Sequence, residues 1–485
     1  MSIGTLPPRP LVDFRAALCA AGRVFSIEAL CAGPAAALAL EALTAAGRLA
    51  QRESPLQPLF VFWFVICLPV FRSDSIPSLF ARVMEGLRGR LRGLPRRTVT
   101  DGALAHARRR LGMRPVRSFM RALGKRGAYR PTFHGLRVKA IDGVRLDLPD
   151  TPANVRAFGR PGSQRGPSAY AQLLVVALVD AITRAVLDAK IASYKGSERA
   201  CALRLFRSVG LGDVLLLDRG YFGLALFRAL RATGAHLVCR APACVHLDPI
   251  GGKRAKRSGD YQAILECRVP LEPGEARPHG RGRPGKTKVV DMTVRVIDYH
   301  APGFRPVRLV TSLDSAATAE EIIALYHRRW DAEMAFDEVK TVQVAPAQGT
   351  LQTQLRSKTP RGVIQETYAL LASYTLVRET IARAAEAKGI APEEISFTDA
   401  LHVIRISITR MMGARGEDLP TLHRQMLDDL AACRLLRTRR KRRYPRVMKR
   451  KIGKYPLKRP RHGALPAIDP VEAFRTRYRK LARAS

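Results

Sequence analysis

The stretch Val214-Leu-Leu-Leu-Asp218 sets the interpretation of the whole chain, because it joins four consecutive apolar residues to a carboxylate. A short apolar run of this kind is typical of a strand that is buried on both faces of a sheet. A carboxylate directly after it has a desolvation cost unless a partner offsets that cost. Mg²⁺, which prefers carboxylate and phosphate oxygens, is such a partner. Asp218 is therefore a candidate metal ligand at the end of a central strand.

A second carboxylate stands in a similar position upstream. The segments Leu136–Asp142 and Val144–Leu148 alternate apolar and polar residues as strands do, and Asp142 ends the first of them. Asp147 and Asp150 are nearby alternatives. We prefer Asp142, because Asp150 begins a turn flanked by prolines. Two aspartates at strand ends favour a metal site, although either could instead form a turn.

A helix downstream supplies a third group of functional side chains. Thr318-Ala-Glu-Glu321 has the form of a capping box and predicts the helix start. At about 100° per residue, one continuous helix places four side chains within an arc of about 60°, and these are Tyr326, Arg329, Glu333 and Lys340. Apolar neighbours such as Trp330 flank this stripe, so we expect it to be partly shielded from water.

Such a stripe suits a phosphate backbone. Arginine and lysine bind phosphate oxygens, tyrosine offers a hydroxyl or a stacking face, and glutamate can take a metal ion. An ordinary solvated face with an Arg329–Glu333 pair is the alternative. Glu338 is an alternative third acid, but on a regular helix it points about 140° away from Glu333.

The charge balance points to the same kind of partner. The 485 residues include 83 Lys and Arg against 41 Asp and Glu, a formal net charge of +42, with 47% hydrophobic residues. This is the composition of a folded protein with a polyanionic partner, for which nucleic acid is the first choice. Arg434–Arg461 adds a run rich in Lys and Arg without any acid, for which we expect phosphate contact.

Several other classes of protein are disfavoured. No apolar run reaches the length of about 20 residues that a membrane span needs, and eight scattered cysteines do not form a disulfide framework. The string Gly280–Thr287 matches a phosphate-binding loop in letters alone, because no strand precedes it and a strand follows it. Cys239 and Cys244 lack the spacing of a zinc finger. We expect a cytoplasmic protein with reduced thiols.

The spacing Tyr-x2-Arg-x3-Glu-x6-Lys over 326–340 resembles the signature of the DDE transposases of the bacterial insertion sequence 4 group. Ile141–Asn154 and Leu217–Phe222 are similar to the group's segments around its first and second aspartates, and Leu355–Glu366 to another of its stretches. The resemblance covers roughly Leu56–Leu376. Val144 replaces the group's usual threonine.

The resemblance implies an α/β fold with an RNase H-like mixed sheet, a β-rich insertion, an N-terminal helical domain and a helical, basic C-terminal region. The expected division is residues 1–130 helical and DNA-binding, 131–241 and 317–380 the two parts of the catalytic core, 242–316 the insertion, and 381–485 the C-terminal region. Asp218 and Glu333 are 115 positions apart, which leaves room for that insertion.

The resemblance also implies a function. Asp142, Asp218 and Glu333 are expected to be catalytic and to hold two Mg²⁺ ions, or Mn²⁺ in their place. The DNA-contacting side chains are expected to be Tyr326, Arg329, Lys340 and Trp330. The expected activity is cut-and-paste transposition, with a hairpin intermediate at the transposon end.

The expected partners are double-stranded DNA, namely terminal inverted repeats and target DNA, and a second copy in a paired-end homodimer at the bacterial nucleoid. Two alternatives remain open at this point. One is an RNase H-like nuclease that does not integrate, and the other is a catalytically silent DNA-binding protein.

Overall fold

The structure, a computed structural model, describes residues 35–49, 56–88, 99–126, 132–163, 166–168, 170–245, 247–250, 259–270, 287–299, 306–340 and 355–435. The basic tail beyond Leu435 and nearly all of the Gly280–Thr287 string lie outside these residues. The expectations for them remain predictions. The proposed division into 1–130, 131–241, 242–316, 317–380 and 381–485 is likewise a prediction.

The first described elements are all helical, as predicted for this region. They are α1 (Ala35–Ala45), α2 (Pro58–Cys67), α3 (Ile76–Leu87), α4 (Asp101–Leu111) and α5 (Arg114–Arg126). The apolar run at 59–71 forms α2 and its following turn, and α2 is buried on nearly all sides, because it carries apolar residues all round. The hydroxyls of Ser75 and Thr100 accept hydrogen bonds from the first turns of α3 and α4 and so set where those helices begin.

Aromatic rings hold these helices together. Phe62 and Trp63 of α2 meet Phe119 of α5 edge to face, with ring centroids 5.1 and 5.7 Å apart. Phe80 of α3 meets Phe60 of α2 at 6.0 Å in the same manner. Edge-to-face pairs at these distances add about 1 kcal/mol each beyond the burial of their surface. The N-terminal helices therefore share one aromatic core.

An eight-stranded mixed sheet forms the centre of the molecule. Its strands are β1 (Arg137–Leu148), β4 (Ala171–Asp180), β5 (Val186–Ser193), β6 (Asp213–Leu217), β7 (His236–Arg240), β8 (Asp260–Pro270), β9 (Thr287–Tyr299) and β10 (Val307–Thr311), in the order β5-β4-β1-β6-β7-β10-β9-β8. The pairs β1–β6 and β6–β7 are parallel, and the other pairs are antiparallel. A two-stranded hairpin, β2 (Gly162–Ser163) with β3 (Gly166–Pro167), lies apart.

The predicted β-rich segment extends this sheet. β10 pairs with β7, and β9 pairs with both β10 and β8, so the three strands continue the core sheet. They therefore share one hydrogen-bonded ladder with the strands that carry the two aspartates.

β1 corrects one prediction. The sequence suggests two strands with Asp142 at the end of the first, whereas the structure has one strand, Arg137–Leu148, with Asp142 near its middle. The reason is the partner strand: β4 pairs with β1 without interruption from Lys139↔Asp180 to Leu148↔Ala171. Asp142 therefore stands at an edge only relative to β6, whose pairing with β1 ends at Ala140↔Leu216.

Helices cover the two faces of the sheet. α7 (Glu198–Leu205) and α8 (Leu224–Arg231) pack on the face that presents Leu215 and Leu217, while Val214 and Leu216 face the larger core on the other side. That larger core contains the N-terminal helices, α9 (Ala319–His327), α10 (Trp330–Glu338), α11 (Pro360–Ala387) and α12 (Phe397–Gly413). α6 (Pro152–Phe158) and α13 (Leu419–Ala432) complete the described helices. None of the helices in the described ranges combines the length and apolarity that crossing a membrane requires.

The contact between α5 and β5 generates a stability prediction. A Cβ on Gly124 would stand 1.9 Å from the carbonyl oxygen of Leu187, a backbone atom that cannot turn aside. We expect Gly124→Ala to lower the free energy of unfolding by about 2 kcal/mol or more, because helix and strand must separate.

Gly102→Ala is the matched control, since a Cβ there would meet nothing closer than the Thr100 hydroxyl at 3.9 Å. It should leave stability unchanged or raise it by up to about 1 kcal/mol. Urea denaturation of both variants checks the pair, and equal midpoints would contradict the proposed α5–β5 contact.

Candidate active site

The two predicted aspartates lie on the same face of the sheet. Side chains alternate along a strand, and the extended backbone at Asp218 continues the alternation of β6, so Asp218 follows Val214 and Leu216 toward the larger core. Asp142 follows Val138 and Ala140 toward that same core. The parallel register Ala140↔Leu216, carried two residues further, brings Asp142 beside Asp218.

The predicted continuous signature helix is wrong in one respect, because it consists of two helices, α9 and α10. Arg328 and Arg329 join them through hydrogen bonds from their N–H groups to the carbonyls of Leu325 and Tyr326, at 3.0 and 3.1 Å. Such three-residue spacing tightens the turn relative to an α-helix. The predicted capping box at Thr318 and Glu321 is present and begins α9.

Three of the four stripe residues remain together despite this turn. The Arg329 guanidinium forms an ion pair with Glu333 at 2.8 Å, and its carbon lies 5.9 Å from the centre of the Tyr326 ring. Tyr326 and Arg329 are buried, with 6% and 7% of their surface exposed. The expectation of a partly shielded stripe is thus met at its centre.

Trp330 differs from that expectation. It was predicted among the apolar neighbours that shield the stripe, but 57% of its surface is exposed. It begins α10 directly after the tight turn, and the Arg329 guanidinium stacks over its ring at 5.5 Å. An exposed aromatic ring beside a buried cation can stack on a ligand.

The pKa of Asp142 depends on burial and on the charges around it. This pKa is raised to about 6, mainly by burial and to a smaller extent by the charges of Glu333 and Asp218, while the Gly143 N–H and Arg329 act in the opposite direction. The Gly143 N–H donates to Asp142 Oδ1 at 2.8 Å. Three carboxylates and one guanidinium are therefore close enough to act on each other, although they are far apart in sequence.

The same residues test whether a metal ion fits. Their hard carboxylate oxygens suit a divalent cation, and like-charge crowding at Asp142 is the condition that such a cation relieves. Across the ranges that the structure describes, however, no three His, Cys, Asp or Glu side chains are already grouped to hold a metal. Glu333 forms an ion pair with Arg329 instead. The carboxylates are thus suitable ligands for a divalent cation, but Glu333 is not placed to bind one in this structure.

Lys340 and the alternative first aspartates, Asp147 and Asp150, lie away from the pair of Asp142 and Asp218. Burial raises the pKa of Asp147, and the charge of Lys340 partly opposes this rise. Asp147 accepts a hydrogen bond from Gln172 at 2.7 Å and faces the opposite side of β1 from Asp142. Asp150 is in an ion pair with Arg160. Asp147 therefore faces away from Asp218, and Asp150 lies beyond the end of β1.

Glu338, the alternative third acid, belongs to a buried network behind the site. It accepts hydrogen bonds from Arg184 at 2.9 Å and from Tyr374 at 2.8 Å, and it pairs with Arg378, which is 1% exposed. Arg184 also donates to Asp331 at 3.0 Å. This network anchors α10 to α11 and to the β4–β5 turn, so Glu333 is left facing the aspartates.

Two residues near the site were missed by sequence reasoning. A Cβ on Gly143 would come within 3.1 Å of the Glu198 carboxyl carbon, so this side chain lies over the backbone next to Asp142. The buried Tyr221 hydroxyl has no hydrogen-bond partner among the described residues. Burial, then Glu198 and Asp142, raise its pKa. Tyr221 could have been suspected from its place three residues after Asp218, whereas nothing in the sequence marks Glu198.

Truncation of the two glutamates of α10 should lower stability to very different extents. We expect Glu338→Ala to cost about 3–5 kcal/mol of unfolding free energy, because it leaves buried guanidinium groups without their carboxylate. We expect Glu333→Ala to cost at most about 0.5 kcal/mol, because that ion pair is partly exposed and spans one helical turn. Thermal or chemical unfolding measures both, and a large loss in Glu333→Ala would mean that this residue supports the fold.

Comparison with known proteins places the chain in a family. The family described as Transposase DDE domain matches residues 133–376, just over half of the chain, and the family described as Insertion element 4 transposase N-terminal matches residues 26–121. The InsG transposase of insertion sequence element IS4 from Escherichia coli strain K12 is 28% identical over 418 residues, which cover 84% of this chain and 88% of that protein. The putative transposase InsZ of the same organism is 27% identical over 199 residues, 40% of this chain and 64% of that protein.

Among solved structures, a piggyBac transposase synaptic complex with hairpin DNA aligns over 85% of both chains, with 13% identity and a TM-score of 0.42. That similarity is too distant to establish a shared fold, and the family matches and the InsG relative carry the assignment. A DDE domain implies a general dependence on divalent metal ions. The chain belongs to the insertion sequence 4 family of DDE transposases, which are enzymes of the polynucleotidyl transferase and nuclease class.

Proposed function

We propose that this transposase moves an insertion sequence by a cut-and-paste reaction. It would hydrolyse phosphodiester bonds at the transposon ends and then transfer the freed 3′-hydroxyl to target DNA. The observation that supports this most is the mutual electrostatic influence of Asp142, Asp218 and Glu333 on one face of the sheet, with Arg329 among them.

An RNase H-like core is part of the proposal. In the order β5-β4-β1-β6-β7, three antiparallel strands are followed by two parallel ones, and helices cover both faces. In sheets with parallel strands, ligands bind beyond the carboxyl ends of those strands. Asp218 directly follows such an end, and this supports placing the reaction there.

Asp142, Asp218 and Glu333 would hold two Mg²⁺ ions, with Mn²⁺ an acceptable substitute. When bound, such ions supply activation of a water or 3′-hydroxyl nucleophile and stabilisation of the leaving oxygen. Asp142 contributes a buried carboxylate whose unfavourable charge is relieved by a cation. To help hold such ions, Glu333 would have to leave Arg329, and the guanidinium would then be available for a phosphate.

The DNA-contacting roles follow the stripe on α9 and α10. Arg329 would bind a phosphate group bidentately, through two parallel N–H···O hydrogen bonds. Tyr326 offers a buried hydroxyl with no hydrogen-bond partner among the described residues. The exposed ring of Trp330 would stack on a base, which suits a base flipped from the duplex at a hairpin end. Lys340, one end of the stripe, would take a more distant phosphate.

The proposal also includes the DNA partners, the oligomeric state and further DNA-binding regions. The partners would be the terminal inverted repeats and the target DNA, held by a homodimer that pairs both ends, in the bacterial cytoplasm at the nucleoid. The N-terminal helices would help to bind the transposon ends, and α4 carries Arg109 and Arg110 on exposed positions. The basic tail beyond the described residues would add phosphate contacts.

The first test removes one carboxylate. Asp218→Asn should reduce Mg²⁺-dependent cleavage of DNA that carries the element's own ends by more than about 100-fold, because an amide is a poor ligand for a hard cation. DNA binding should be retained in a gel-shift assay. Asp428→Asn on α13 is the matched control and should cleave normally, because this carboxylate is exposed and forms a surface ion pair with Lys388. Undiminished cleavage by Asp218→Asn would remove Asp218 from the active site.

A second test separates a transposase reaction from simple nuclease action. Precut ends with a free 3′-hydroxyl should be joined to a supercoiled target by the wild-type protein in the presence of Mg²⁺. Joining should be lost in Asp142→Asn together with cleavage, because one site serves both steps. Cleavage without any joining would favour the non-integrating nuclease, and neither reaction with normal DNA binding would favour the silent binder.

A further inference from the structure

A cavity of about 250 Å³ lies at the opposite edge of the sheet from the proposed active site. It is bounded by the first residues of β1, by the segment that leads into β6, and by the end of α5. Asp213 begins β6 and Asp218 follows its end, so at about 3.3 Å per residue the two edges are about 17 Å apart. The cavity is therefore a separate site.

The cavity wall carries a surplus of positive charge. Four cations line it, and the acid among the lining residues is Asp213. The cations are Lys125, Arg137, Lys139 and Arg207. Asp213 is already engaged, because Lys139 binds it at 2.7 Å, Arg137 at 2.8 Å, and the Gly210 N–H donates to it at 2.8 Å.

A second carboxylate behind the wall is engaged as well. Asp188 is fully buried and accepts hydrogen bonds from Arg207 at 2.8 and 2.9 Å and from Arg121 at 3.1 Å. Ser208 and the Ala189 N–H donate to it too, at 2.9 and 2.7 Å. Four cations thus share two carboxylates that already accept several donors each, and Lys125 adds a fifth positive charge at the cavity.

Lys139 is subject to repulsion from the neighbouring cations. The side chain is buried at the wall, and besides Asp213 it donates to the Ser208 carbonyl at 3.0 Å. Burial lowers its pKa, Arg137 lowers it further, and Asp213 opposes both. An anion in the cavity would relieve this repulsion, as a carboxylate beside a cation does.

We propose that this cavity binds phosphate groups. Its volume is several times the roughly 30 Å³ that one water occupies, and guanidinium and ammonium groups are the side chains that bind phosphate oxygens. The DNA backbone is one source of that group, and this source rests on the proposed function. A free phosphate compound is the other source of the same chemistry.

The first arm of the test uses inorganic phosphate and the full chain. Against sodium chloride of equal ionic strength, sodium phosphate should raise the melting temperature of the wild-type protein by about 2 °C or more. The double variant Lys125→Gln, Arg207→Gln should lose most of that rise. This arm contains no DNA and no metal ion, so its result is independent of the proposed function.

The control makes the same charge change elsewhere. Lys388→Gln with Arg415→Gln replaces two exposed cations next to the C-terminal helices, where each forms a surface ion pair, with Asp428 and Glu417 respectively. If Arg207→Gln impairs folding, Lys125→Glu alone replaces it, since Lys125 is exposed and the structure shows no ion pair for it within the described residues.

The second arm measures affinity for duplex DNA as a function of salt. If the backbone is the source, the cavity variant should lower the salt slope by about 2 and weaken binding about tenfold at low salt, relative to the control variant. A phosphate-dependent rise with unchanged DNA affinity would support the site with a free phosphate compound as its ligand. Equal phosphate responses in the cavity and control variants would overturn the proposal, because net charge alone would then explain them.

Discussion

The alternation of side chains along two neighbouring parallel strands is the constraint on which the candidate active site depends. Asp142 and Asp218 have the same parity as the apolar residues that face the larger core, so both carboxylates turn toward that core at the point where β6 ends. There they crowd each other and Glu333, and Arg329 partly offsets the repulsion. In this structure, a cation of the protein itself therefore lies among these acids.

The position of Glu333 depends in turn on residues outside the candidate site. Arg184 adopts a left-handed backbone conformation, with φ 63°, in the turn between β4 and β5. From there it reaches both Asp331 and Glu338 on α10, and Arg378 of α11 holds Glu338 from the other side. Buried ion pairs of this kind contribute little net stability. They do, however, specify which side of the helix faces the sheet.

The cationic side chains behind the large net charge lie in several different environments. Part of it is internal: Arg378, Lys139 and Arg329 are buried and paired with carboxylates, so they add little to the surface field. Another part surrounds the cavity at the far edge of the sheet, where it exceeds the available acids. A net charge therefore indicates a polyanionic partner but does not say where that partner is bound.

The sequence by itself determined the strand ending at Asp218 and the capping box at Thr318, because hydrophobic period and cap chemistry are local properties. The grouping of Asp142 with Arg329 and Glu333 was a prediction from the resemblance of their motifs to those of a known family. The sequence could not show that β1 runs through Asp142, since that depends on pairing with β4. Nor could it show the turn at Arg328 and Arg329, the exposure of Trp330, or Glu198 beside Gly143. Those features depend on residues distant in the chain, and only folding brings the carboxylates and cations into one another's field.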